Sequence, residues 1–190
     1  MMTRYFKLSD DPYWPGRWEL GVPLDERGQK VWTWMFRRCE LATVHELLRV
    51  PLSQPGQALD FSVAGAAVPI VHEKVATLLE KWAANDIQLL PVSVETQANP
   101  YFILNALRAV KCIDEAACEE VQRWTPEDGQ PDLVGEYRVV AGLRIDPARV
   151  GGIHFFRPWG WPVVLLVSEE LKVALEQTGV SGVRFQIVTA

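Results

Sequence analysis

Residues 153–187 read IHFFRPWGWPVVLLVSEELKVALEQTGVSGVRFQI, and this stretch decides the fold class. Ile153 to Arg157 is β-branched and aromatic, as strands prefer, and Pro158-Trp159-Gly160-Trp161-Pro162 is a turn. Val163 to Val167 gives a second strand. Ser168 then stands where a helix N-cap belongs, and Glu169 and Glu170 follow it at the positive end of the helix dipole. Leu171, Ala174 and Leu175 form the buried stripe of that helix, and Gly179 ends it. Val183, Phe185 and Ile187 alternate in a closing strand. Strand, turn, strand, helix and strand in so short a span predict an α+β architecture with a mainly antiparallel sheet.

The same reading extends toward the N-terminus. Gly135 to Ile145 alternates, with Tyr137, Val139, Ala141, Leu143 and Ile145 on one face and Arg138 and Arg144 on the other. Tyr101 to Ile113 fits a strand or a helix, and periodicity leaves both open. A helical turn or two is expected at Asp114 to Arg123. The clearest helix runs from about Val71 to Ala84, where Val71, Val75, Leu78, Leu79 and Trp82 share a stripe and Pro69 suits the start. Ile87 to Val94 reads as a strand whose Pro91 places it at an edge or a bulge. Val31 to Phe36 is read as a strand buried on both sides, in preference to a helical turn. Leu59 to Val63 is a further short strand, and Tyr5 to Leu8 opens the chain as another. The whole of 1–190 is expected to form one domain with two or more packed helices.

At 190 residues, 48% hydrophobic, with eight Trp, the chain has the composition of a well-packed globular protein. Met1 to Asp11 lacks the apolar core of a signal peptide, and Val163 to Val167 is far too short to span a bilayer. Three sparsely spaced cysteines, Cys39, Cys112 and Cys118, suit reduced thiols. The expected location is the cytoplasm, without membrane attachment. A net charge of −5 argues against a nucleic-acid binder. Between Asp114 and Glu136 lie eight acidic residues and one basic residue, Arg123. That run is either a solvated face or a patch that steers a basic partner.

Catalytic patterns are incomplete. His45-Glu46-Leu47-Leu48-Arg49 and His72-Glu73-Lys74-Val75-Ala76 each lack the second histidine of a zinc-protease helix. His154 lies in an aromatic strand and reads as packed or hydrogen-bonded. Cys112 and Cys118 lack metal-ligand spacing, so neither a metal nor a cofactor is expected. Gly151-Gly152 precedes a strand, so no helix N-terminus follows to hold phosphate. Gly179-Val180-Ser181-Gly182-Val183 follows a helix, the reverse of a nucleophile elbow. No catalytic residue is assigned, although a hydrolase or transferase with a scattered site, or a regulatory binding module, is the alternative.

Tryptophans in Pro- and Gly-rich turns are either core or interface anchors. Trp14 and Trp18 are assigned to the core, while Trp159 and Trp161 are held open between the two roles. The candidate partner-binding residues are therefore Glu119, Glu120, Glu127, Asp128, Asp132, Trp159 and Trp161.

An ordered set of segments adds to this reading. It comprises Tyr5-Phe6-Lys7-Leu8, the Pro15-Gly16-Arg17-Trp18 and Leu20-Gly21 turns, and Tyr101-Phe102-Ile103-Leu104-Asn105 leading to Cys112-Ile113-Asp114. Phe156-Arg157, Val167-Ser168-Glu169-Glu170-Leu171-Lys172 and Thr178-Gly179-Val180-Ser181-Gly182-Val183-Arg184-Phe185 complete it. In this order the chain, from about residue 5 to 188, resembles the eleventh immunity-protein family of bacterial polymorphic toxin systems, which has many myxobacterial members. The resemblance implies a cytoplasmic antitoxin that binds and neutralises one cognate toxin domain, and it carries no catalytic residues. The acidic run suits a basic, nuclease-type toxin, whose nucleic-acid phosphates the carboxylates would imitate.

Overall fold

The computed structural model describes residues 3–189. In chain order the strands are β1 (Tyr5–Asp10), β2 (Glu19–Leu20), β3 (Leu48–Val50), β4 (Leu52–Gln54), β5 (Phe61–Ala64) and β6 (Val68–His72). Helix α1 (Glu73–Ala83) follows, then β7 (Ile87–Val94), β8 (Tyr101–Ala106), β9 (Ala109–Val110), β10 (Glu120–Arg123), β11 (Tyr137–Ala141), β12 (Phe155–Pro158) and β13 (Leu165–Ser168). Helix α2 (Glu169–Gln177) and β14 (Val183–Ile187) close the chain.

Two five-stranded sheets dominate. One has the order β14-β1-β13-β12-β9 and the other β3-β7-β8-β6-β5; β10-β11 and β2-β4 are separate two-stranded ribbons. All pairings within the large sheets are antiparallel except at one edge of each, where β9 runs parallel to β12 and β3 parallel to β7. The architecture is α+β, as the closing stretch predicted.

Alternation along the strands distributes the core. In the first sheet Phe6, Leu8, Phe155, Leu165 and Val167 point to one side, and Tyr5, Phe156, Val164 and Leu166 to the other. In the second sheet Val71, Leu104 and Ala106 face one way, and Val68, Ile70, Tyr101 and Ile103 the other. The first set from each sheet joins α1 and α2 in a single shared core, with Val75, Leu79, Leu171 and Leu175 from the helices. The outer faces are covered too. Trp18, Leu20 and Phe36 cover the second sheet, and Cys112, Ile145 and Val150 cover the first. Both sheets are thus buried on both sides.

Burial on both faces explains why Tyr101 onward looked ambiguous: a strand apolar on both faces loses its period-two signature. It forms β8, paired with β6 and β7. Pro91 lies one residue ahead of the register with β3, which begins at Val92, so its missing N–H falls on an open edge.

Three readings are corrected. Val31 to Phe36 is no strand; Thr33–Arg37 is a 3₁₀ helix. Only Phe36 of that run is fully buried, while Trp32 and Trp34 remain exposed, so no sheet covers both sides. The first helix begins at Glu73 rather than near Val71, because Val68–His72 is held between β5 and β8. His72 caps it, its Nδ1 accepting from the Lys74 N–H at 3.1 Å, and Pro69 is a strand residue opposite Val63. Finally, Asp114–Cys118 makes one turn, after which the chain extends into β10 because β11 offers a partner.

The second helix starts as its sequence requires. The Ser168 hydroxyl accepts the Leu171 N–H at 3.3 Å and is hydrogen-bonded to His154 Nδ1 at 2.8 Å. Beyond the helix, the Ser181 turn clasps the second sheet. Asp60 Oδ2 accepts from the Ser181 N–H (2.8 Å), the Ser181 hydroxyl (2.9 Å) and Lys74 Nζ (2.8 Å). The near-miss nucleophile motif is therefore a structural latch. Gly182 sits in it at φ +82°, where an added Cβ would stand 2.4 Å from the Phe61 carbonyl oxygen.

Two outcomes follow from this latch. Gly182→Ala combines a positive φ with a backbone clash and should lower stability by about 2–4 kcal/mol, read from urea midpoints at unchanged slope. Burial pushes the Asp60 carboxyl up, but hydrogen bonds from Lys74 and Ser181 outweigh it and hold it below its ordinary 3.8. A depressed folded value stabilises fully above the unfolded value and ceases as pH falls through the folded one. Asp60→Asn should therefore reduce stability at neutral pH and flatten the stability curve below about pH 4, measured by denaturation across pH.

Candidate partner-binding surface

The acidic run forms a ribbon with a long tip. β10 and β11 pair from Glu120 opposite Ala141 to Arg123 opposite Tyr137, with a bulge between Gln122 and Arg123. The connection from Trp124 to Glu136 holds two 3₁₀ turns, Pro126–Asp128 and Pro131–Leu133. Proline at the first position of each fits, since an N–H there would lack an intrahelical partner.

The charges in this ribbon divide into two groups. One is engaged internally. Asp128 Oδ2 accepts from the Thr125 N–H and hydroxyl at 2.9 and 3.0 Å, and Oδ1 receives Arg138 Nη1 at 2.7 Å. The Thr125 backbone hydrogen bond, more than Arg138, holds the Asp128 carboxyl below the usual carboxylate range. Asp128 thus caps the tip. Glu115 is likewise held low, first by the Tyr137 hydroxyl at 2.8 Å and then by Arg123. Arg123, the one cation of the run, lies 4.3 Å over the Tyr137 ring and also donates to the Gly135 carbonyl.

The second group faces outward. Glu119, Glu120, Glu127 and Asp132 are exposed, and none pairs with a basic side chain among the described residues. Glu119 packs its stem where a Cβ on Gly142 would be, and Glu120 accepts only from Gln122.

The tryptophan turn is joined to this ribbon. Tyr137 N–H donates to the Gly160 carbonyl at 3.0 Å, and Gly160 has φ +75° with the Tyr137 ring close above it. Trp159 is 37% exposed, with Lys111 Nζ 4.3 Å above its ring. Trp161 instead packs half-buried against the outer core of the first sheet. Trp18 is fully buried, its Nε1–H on Ser62 Oγ at 2.7 Å, and Trp14 packs beside that core.

Asp132 and Trp159 meet in a groove of ≈ 370 Å³, walled also by Trp34, Arg38, Glu40 and Glu136. Sequence reasoning missed Trp34 and Arg38, because Val31 to Phe36 read as a buried strand; its two exposed tryptophans, two positions apart, were the available signal. The far wall of this groove is fixed by a buried amide pair. Asn105 Nδ2 donates to the Glu40 carbonyl (2.8 Å) and to Gln88 Oε1 (2.9 Å), and Gln88 Nε2 donates to the Ala42 carbonyl (2.9 Å).

Seven candidates thus resolve into distinct places. Glu119, Glu120, Glu127, Asp132 and Trp159 lie on the outside of the ribbon and its adjoining turn, Asp128 caps the tip, and Trp161 packs inward. Among the described residues no three His, Cys, Asp or Glu gather as a metal site, and no helix is long and apolar enough to cross a membrane.

Comparison with known proteins agrees with the resemblance seen in the sequence. No curated protein matches the chain. The model of an immunity protein family, Imm11, matches residues 53–190. The opening segments, Tyr5 to Leu8 included, precede the match, although β1 pairs with both β13 and β14 inside the matched region. With most of its length covered, from β5 through α2 to the closing strand, this chain belongs to the Imm11 immunity protein family.

Proposed function

We propose that the protein, in the cytoplasm of the cell that makes it, neutralises one cognate toxin domain by stoichiometric contact. The contact surface is the outer side of the β10-β11 ribbon together with the groove at Trp159. The observation that supports this reading is the division of charge in the ribbon. Its cations, Arg123 and Arg138, are held on Glu115 and Asp128, so Glu119, Glu120, Glu127 and Asp132 are exposed without internal neutralisation. Such a field accelerates encounter with a basic protein, and a nuclease domain is basic because it must hold phosphates. Trp159 and Trp34 beside it supply apolar area on rigid rings, the usual source of tight binding once encounter has occurred.

Affinity capture of the tagged protein from its native lysate, with stoichiometry, identifies the toxin chain. The purified pair then tests the surface. Neutralising Glu119, Glu120, Glu127 and Asp132 to Gln or Asn should slow association at low salt and flatten its salt dependence. Trp159→Ala should weaken the complex by about 2 kcal/mol, roughly 30-fold, mainly through faster dissociation. Unchanged association and salt dependence in the charge variant would place the contact elsewhere.

A further inference from the structure

A cavity of ≈ 430 Å³ lies where β1, the β5-β6 hairpin, β11 and the segment around β13 converge. Its charged walls are inverted relative to the acidic protein around it. Lys7, Arg37 and Arg157 line it against one carboxylate, Asp10, which already receives Arg17 Nη2 at 2.9 Å.

Arg157 is only 2% exposed and has no carboxylate partner among the described residues. Its Nη1 donates to the Pro162 and Val164 carbonyls at 2.7 and 3.3 Å, and Nη2 to the Phe36 carbonyl at 3.4 Å. These are neutral acceptors, and its buried Nε has none. Arg37 repeats the pattern: one long bond from Nη2 to the Ala66 carbonyl at 3.5 Å, and a buried Nε without an acceptor. Burial pushes the Arg157 guanidinium down to about 10, and the like charge of Arg37 acts in the same direction. A buried guanidinium and a half-buried one lining the same cavity are costly unless an anion compensates both. Both side chains line the cavity, and each keeps an N–H without an acceptor, of the kind that pairs with carboxylate or phosphate oxygens.

The rest of the wall is apolar, with Phe61, Val63, Pro69, Trp161 and Leu165. A volume of this size is typical of small-molecule sites and exceeds what a bare oxyanion fills. We propose that the cavity binds a small molecule with one anionic oxygen group, phosphate or carboxylate, on an apolar body, gripped by Arg37 and Arg157 with Lys7 adding charge. The proposal does not rest on the toxin reading, although Arg37 also borders the groove at Trp159.

The test uses ¹⁵N-labelled protein and follows the Nε–H signals of Arg37 and Arg157. The compounds are phenyl phosphate, benzoate, inorganic phosphate and, as a neutral control, benzyl alcohol. The expected result is a saturable shift of both signals with phenyl phosphate or benzoate, at least roughly tenfold tighter than with inorganic phosphate or benzyl alcohol. Whichever of the two organic anions is tighter tells phosphate from carboxylate. Arg37→Gln, at a half-buried position, should weaken that binding at least roughly tenfold while the Arg157 signal persists. Absence of a saturable shift with every compound in the unmodified protein overturns the proposal. So does equal binding by Arg37→Gln.

Discussion

Each large sheet must bury both of its faces, and the rest of the molecule follows from that demand. Alternate side chains of β1, β12 and β13 leave in opposite directions, as do those of β6 and β8. One set from each sheet meets the other around α1 and α2. The opposite sets need separate covers, which the chain supplies from segments with little regular structure: the Trp18 turn and the Phe36 3₁₀ helix on one side, the Cys112 and Val150 segments on the other. Irregular cover of this kind is held by specific polar links rather than by a ladder. The Asn105–Glu40, Gln88–Ala42 and Trp18–Ser62 bonds are three of them.

With most strands committed to the cores, the recognition surface we propose lies on what projects beyond them. The β10-β11 ribbon belongs to neither large sheet, so its charges answer to local chemistry. Thr125 and Arg138 engage Asp128, Tyr137 and Arg123 engage Glu115, and Glu119, Glu120, Glu127 and Asp132 remain exposed. The hydrogen bond from Tyr137 to the Gly160 carbonyl then brings the Trp159 turn alongside, and Trp159 shares a groove with Asp132 and Glu136.

Much of the fold was legible where one residue carries one local role. Ser168 before Glu169 and Glu170, Gly179 after the helix, and the alternation of Val183, Phe185 and Ile187 all became what their chemistry requires. Legibility failed where tertiary partners override local pattern. Val31 to Phe36 has strand composition but no strand to pair with, and Val71 has a helical neighbour yet is held extended between β5 and β8. The candidate surface was legible in part. The excess of carboxylates is visible from composition, but which of them face solvent depends on Arg123 and Arg138. Their partners, Glu115 and Asp128, are eight and ten positions away along a ribbon that had first to form.

By itself the sequence determined the α+β class, the second helix with both its ends, and the acidic character of one segment. These rest on capping, side-chain periodicity and charge, all of which act within a few residues. Only the tertiary structure decided that Asp128 is a cap while Asp132 projects, that Trp161 packs inward while Trp159 does not, and that Arg37 and Arg157 come together at a cavity. Those outcomes depend on which distant backbone carbonyls and side chains the sheets bring within hydrogen-bond reach, and separation along the chain carries no record of that.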